Sequence, residues 1–149
     1  MGRLLDLDEA ALVHVRCGAL LHNIGKMGLP DSILLKPGQL APEGWEIMRR
    51  HPIYANELLQ LIGFLCPAID IQDYYREKWD STGYPHGLKH DEILLAARIF
   101  AVADVWDRLP SDRPYRSAWP NNKVRLHIQS QAVTHFDPHG VWQFLEPDF

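Results

Sequence analysis

Leu20-Leu21-His22-Asn23-Ile24-Gly25-Lys26 sets a histidine, an amide and a lysine together at the end of an apolar helix. Reading back from His22, the residues Ala19, Val15 and Leu12 recur at the three- and four-residue steps of one helical face, the spacing that points into a core. His22 therefore looks inward, either as a satisfied core histidine or as a ligand. Asp6 followed by Glu9 resembles a capping box with Asp in the cap position, and Gly25 is a terminator, so the spacing predicts a first helix from Leu7 to Asn23.

The rest of the chain supplies partners for that stretch. Met27 to Ala41 carries Pro30, Pro37 and Gly38, which break any long element; Asp31 caps at most one turn, and the segment reads as a structured loop. Pro42 suits the first position of a helix and Glu43 complements its dipole, after which Trp45, Met48 and His51 share an inward face. Pro52 disfavours helical geometry at His51, so the chain bends there and resumes as a helix from Ile53 to Leu61. His51 either aims at a ligand or covers a helix end. From Pro67 the stripe Ala68, Ile71, Tyr75 and Trp79 predicts another helix with Tyr75 inward and Arg76 alongside, closed by the turn Asp80-Ser81-Thr82-Gly83-Tyr84-Pro85. The longest helical signal, Asp91 to Leu109, places Ile93, Ala97, Phe100 and Asp104 on one face. A carboxylate on such a face is costly unless paired, hydrogen-bonded or metal-bound, so Asp104 needs a partner such as Lys26 or an arginine. A helix over Lys123 to Val133 and a short amphipathic end with Val141, Trp142, Phe144 and Leu145 complete the chain. His86, His90, His135 and His139 read as surface residues, because isolated histidine pairs are weak metal signals.

Composition bounds the possibilities. At 149 residues, 46% hydrophobic and 23% charged, the chain is a globular domain rather than a fibrous or disordered one. A domain of this length buries roughly 68–70% of the surface of its unfolded chain, enough for a real core. Net charge −4 gives no general signal for nucleic-acid polymers or anionic membranes, so a polyanionic ligand needs a local basic site. The two cysteines, Cys17 and Cys66, make neither a disulfide framework nor a thiolate zinc site, and a reducing cytoplasm fits them best. No apolar run reaches the ~18 residues of a membrane span, and the N-terminus lacks a signal-peptide pattern.

The order of the pieces is more specific than any one of them. His22-Asn23-Ile24-Gly25-Lys26, Leu29-Pro30-Asp31, Lys36-Pro37-Gly38, His51-Pro52, Trp79-Asp80 with Gly83-Tyr84-Pro85, Ala101-Val102-Ala103-Asp104, Asp112-Arg113-Pro114-Tyr115-Arg116 and Phe136-Asp137-Pro138 stand in sequence. Together they resemble the HD-GYP family over nearly the whole chain. The resemblance implies an all-α HD-superfamily bundle of about six helices with structured loops, a single domain over residues 1–149. It also implies a metal-dependent phosphohydrolase, since intact members are bacterial phosphodiesterases acting on cyclic di-GMP. Carried over position by position, it makes His22, His51 and Asp104 metal ligands and Lys26 the base or a phosphate contact. Tyr84 then lies in the signature loop, and Arg113 and Arg116 match positions that contact the ligand phosphate. Members with a third metal draw ligands from a helix upstream of the His-Asp pair; this chain starts too late for it, so the N-terminal part of the domain is expected to be missing.

The match departs where the chemistry resides. Asn23 stands in the place of the paired Asp, and Tyr75-Arg76 in the place of tandem histidines. Two dications ~4 Å apart repel by roughly 16 kcal/mol at an effective dielectric of about 20 before ligands compensate. The neutral amide of Asn23 offers no such compensation, and Arg76 adds a permanent cation where an imidazole would give a lone pair. A Tyr75 phenolate is expensive at neutral pH. The expected cofactor is therefore one divalent transition ion, Fe or Mn, on His22, His51 and Asp104, or none, and no dinuclear or trinuclear centre. Arg76 has two readings: it holds a ligand phosphate in place of the missing ion, or it pairs with Asp104 or Glu77 and plugs the site. Ser81, Ala55 and Val133 occupy positions where the family has glycine or other small residues. Two functions follow as expectations: a degenerate signalling or interaction module that binds cyclic di-GMP or a signalling protein, and an active cyclic di-GMP phosphodiesterase that tolerates the altered ligands.

Overall fold

The computed structural model describes residues 8–112 and 117–145. These form an all-α bundle: α1 (Glu9–Leu21), α2 (Asp31–Leu34), α3 (Pro42–Met48), α4 (His51–Leu59), α5 (Ile69–Tyr74), α6 (Leu95–Arg108), α7 (Asn121–Ser130) and α8 (Pro138–Leu145). Tight 3-10 turns at Ile24–Gly28, Gly63–Ala68 and His90–Glu92 join them. Extended pairing among the described residues is limited to two isolated bridges, Asp80 with Lys89 and Ala132 with Phe136. No helix among them is long and apolar enough to cross a membrane.

The bundle is organised around α6, which buries two faces. Phe100 packs with Ile71 and Tyr75 of the α5 region, flanked by Ala19 of α1. On the other side Ala101, Val102 and Val105 meet Val124 and Ile128 of α7, Val141 and Leu145 of α8, and Phe136 between them. Each fully buried aliphatic or aromatic side chain of this kind contributes ~1.5–3 kcal/mol, so α6 is the main source of cohesion between the two halves. Phe100 and Asp104 share the face turned toward α1.

Several boundaries differ from those the spacing predicts. Asp6 lies outside the described residues, and α1 ends at Leu21, so His22 and Asn23 link it to the turn at Ile24–Gly28. That turn lies directly on α4. A Cβ on Gly25 would collide with the His51 carbonyl oxygen, so only glycine lets the two segments touch and brings His22 near His51. α4 begins at His51 itself, with Pro52 in its first turn, where a missing N–H leaves no helical bond unmade. Trp45 is 48% exposed and not inward; α3 is short and packs on α2 through buried Gly44, which contacts Leu40 and Ile33. Ala68, Ile71 and Tyr75 are buried as the stripe requires, but the first and last of them flank α5, which stops at Tyr74. Trp79 therefore sits in a loop, its backbone N–H donating to the His135 carbonyl at 3.1 Å and its ring 5.0 Å from His90. The Asp91 end of the longest helical signal is a 3-10 turn, and the α-helix proper starts at Leu95.

Candidate functional site

Two histidines are held in the same way. The Nδ1–H of His22, just past the end of α1, donates to the Ala19 carbonyl at 2.6 Å, and that of His51 donates to the Met48 carbonyl at 2.8 Å. Each ring thereby has a fixed tautomer, with the Nε2 lone pair pointing away from its own backbone. Burial pushes the His51 pKa down to about 4, and the charges of Arg76, Lys26 and His22 act in the same direction, so its ring is neutral at pH 7. His22 is half-buried and opens, with Asp104, onto a cleft of about 490 Å³ between α1 and α6.

Both outward lone pairs are occupied. The Asn23 amide nitrogen lies 2.7 Å from His22 Nε2, and the Tyr75 hydroxyl 2.9 Å from His51 Nε2. Tyr75 is 2% exposed, and burial pushes its pKa up to about 12, so its hydroxyl keeps the proton it donates. The same hydroxyl is 3.2 Å from the His22 carbonyl oxygen, a longer alternative for one proton. Asp104 Oδ1 lies 3.7 Å from His22 Nε2, too far for a hydrogen bond, and among the described residues no arginine stands within ion-pair distance of it.

Arg76 stands over this arrangement. Its guanidinium carbon is 4.6 Å from the centre of the Tyr75 ring, and its Nε is buried with no hydrogen-bond partner. Burial works against its charge, yet Tyr75, Tyr84 and Asp104 together hold its pKa above the ordinary value. Among the described residues no carboxylate lies within ion-pair distance of it. Glu77 in particular is committed elsewhere: 2% exposed, it accepts backbone N–H groups from His86 at 2.6 Å, Gly87 at 3.2 Å and Leu88 at 3.0 Å. That clasp shapes the loop carrying Tyr84, whose N–H donates to the Arg76 carbonyl at 3.2 Å. The Tyr84 ring reaches 6.3 Å from His51 and 5.5 Å from the guanidinium carbon of Arg49. Burial raises the Tyr84 pKa, while Arg76, Arg49 and Arg108 act on it in the opposite direction.

The structure thus gathers His22, Asn23, His51, Tyr84, Arg76 and Asp104 around Tyr75, with Lys26 close enough for its charge to act on His51. Arg113 and Arg116 lie outside the described residues. Sequence reasoning missed two contributors. Glu77 appears there only as a possible counter-ion, although a carboxylate just after a helix end and before a Gly-Pro loop is well placed to collect loop amides. Arg49 carries no spacing signal at all. His86, His90 and His139 are exposed, as read from the sequence, but His135 is not a surface residue: half-buried and stacked on Phe136 at 4.2 Å, it has its pKa lowered by burial to about 4. The cause is the pairing of Trp79 and Asp80 N–H groups with the His135 and Thr134 carbonyls, which draws that turn onto the domain.

The donor set, as arranged, does not fit the metal ion that the resemblance implies. Among the described residues no three His, Cys, Asp or Glu side chains converge on one point. His22 and Asp104 approach each other, His51 lies across Tyr75, each imidazole lone pair already accepts a hydrogen bond, and the nearest added charge is the Arg76 cation.

Comparison with known proteins bears on the same region. A family model described as HD domain matches residues 1–140. The 3'3'-cGAMP-specific phosphodiesterase 2 of Vibrio cholerae serotype O1 is 36% identical over 148 residues, covering 98% of this chain and 28% of that protein. The cyclic di-GMP phosphodiesterase response regulator RpfG of Xanthomonas campestris pv. campestris is 40% identical over 139 residues, 92% of this chain and 37% of its own. A cyclic di-GMP phosphodiesterase of Thermotoga maritima is 38% identical over 144 residues, 95% and 39% of the two chains. The chain spans between 28% and 39% of the length of these curated relatives.

Proposed function

The chain belongs to the HD domain family, and from that membership we propose that residues 1–149 are an HD-GYP-like domain impaired in hydrolysis, acting as a signalling or interaction module in the cytoplasm. Its proposed ligand is a cyclic dinucleotide such as cyclic di-GMP, bound and not cut. The observation that carries this reading is the occupation of both imidazole lone pairs, by Asn23 on His22 and by Tyr75 on His51, beside a buried guanidinium. Hydrolysis of a phosphodiester by a metal pair needs two ions ~3.5–4 Å apart on anionic ligands, and these side chains supply a cation and a neutral amide instead. Lys26, Tyr84, Arg76, Arg113 and Arg116 are the proposed ligand contacts.

The competing reading, an active cyclic dinucleotide phosphodiesterase, draws on one observation: relatives at 36–40% identity carry that activity in their names. Metal analysis of the purified protein, followed by an assay of cyclic di-GMP with added Mn²⁺ or Fe²⁺, separates the two. We expect at most one bound ion and no turnover. Two bound ions with linear or mononucleotide product overturn the proposal.

A further inference from the structure

Charge around His51 runs opposite to what a metal centre requires. Arg76 lies on Tyr75, Arg49 on Tyr84, and the two tyrosines flank His51 at 6.2 and 6.3 Å between ring centres. The floor is thus aromatic and the cations sit on it. Arg108 acts on Tyr84 and Lys26 on His51, while the Asp104 carboxylate acts on Arg76 from beyond ion-pair distance. Glu77, the other candidate to neutralise Arg76, has its two oxygens on three loop amides. Among the described residues Arg76 forms no ion pair, and its Nε–H is sealed from water without a hydrogen-bond partner.

We propose that Arg76 replaces the metal as the fixed cation of this site, and that with Arg49 it seats the phosphate group of a phosphoester without any metal ion. Two guanidinium groups, on the two tyrosines that flank one imidazole, offer separated donors that suit a tetrahedral anion better than a planar carboxylate, and Arg binds such oxygens through a two-pronged fork. Stacking on Tyr75 holds that fork in place and leaves its plane fixed. Arg76 keeps part of its surface in solvent, and Arg49 is exposed at the rim, so an incoming anion meets Arg49 before Arg76. The proposal rests on the reading of the domain as a binder.

The test is titration calorimetry on EDTA-treated protein with three probes: inorganic phosphate, guanosine monophosphate as a monoester, and cyclic di-GMP as a diester. We expect at least one probe to bind saturably with EDTA present and more weakly as salt rises. Arg76→Gln should weaken that binding by about tenfold or more, and Arg76→Lys by less, since it keeps the charge and loses the fork. No binding in EDTA, binding that appears only with Mn²⁺, or an Arg76→Gln variant that binds like the wild type overturns the proposal. Should circular dichroism show Arg76→Gln unfolded, exposed Arg49→Gln decides: weakening of about threefold supports the seat, and unchanged affinity removes it. Turnover of cyclic di-GMP with Mn²⁺ strikes the parent reading, whereas the EDTA titration strikes this one.

Discussion

Glu77 is a buried carboxylate to which the backbone N–H groups of His86, Gly87 and Leu88 all donate, and among the described residues no cation pairs with it. Hydrogen bonds to an ionised acceptor are shorter and about twice as strong as neutral ones, so this side chain fixes the path of the loop that brings Tyr84 over His51. Glu77→Gln preserves the shape but turns one acceptor into a donor facing an N–H. We expect a loss of about 2–3 kcal/mol in urea unfolding together with faster hydrogen exchange at the amides of residues 86–88. Stability within about 0.5 kcal/mol of the wild type, the range of an ordinary surface change, would show that the clasp contributes nothing. Asn23 and Tyr75 work at the same scale. Each supplies a donor where the resemblance to HD-GYP proteins leads one to expect a ligand, and each thereby satisfies an imidazole that is otherwise left bare.

Elements show why only some of this was readable in advance. Helical periodicity finds α1, α6 and α8, because in each an apolar stripe faces a buried partner, and the core positions Ile93, Ala97, Phe100, Val141 and Leu145 fall where the spacing places them. Periodicity fails at Trp45 and Trp79, where the helix is too short for its stripe to decide orientation or has already ended. His22 and Asp104 could be picked from their helical faces, whereas His51 turns inward at the start of α4 and not on the face read for it with the exposed Trp45; the contacts that set their chemistry, from Tyr75 and Glu77, are tertiary and leave no local mark. The turn from α7 toward α8 carries one such mark. Val133, at a position read as glycine-like, has φ +67° and is 62% exposed. A left-handed conformation costs an L residue roughly 1–2 kcal/mol, more for a β-branched one, against the ~0.5–1 kcal/mol of extra unfolded-chain entropy that glycine brings. Val133→Gly should therefore stabilise the domain by about 0.5–1 kcal/mol, seen as a higher urea midpoint with an unchanged slope; a lower midpoint rules out strain at this turn.

At the scale of the molecule, the two halves joined by α6 each bury one neutral histidine, and this couples the stability of the whole to pH. His51 in the α4–α5 half and His135 beside α7 have their ordinary pKa of 6.5 lowered by burial to about 4. Between those values the unfolded chain binds protons that the folded chain refuses, so stability is complete above about pH 6.5 and falls as pH drops toward 4. Each histidine contributes a slope of up to ~1.4 kcal/mol per pH unit. Asp70 and Asp73 oppose them, because burial raises both carboxyl pKa values and the folded chain then gains protons more readily than the unfolded one as acidity increases. Their influence sets in above the ordinary 3.8 of a carboxyl and offsets part of what the histidines lose over the range from pH 7 to 5. Urea unfolding across that range should lose up to about 3–4 kcal/mol in the wild type, and the loss should be smaller by up to about 2 kcal/mol in His135→Gln. A profile flat to within about 1 kcal/mol would mean that both rings accept a proton in the folded state, and the donor role of Tyr75 toward His51 would have to be abandoned with it.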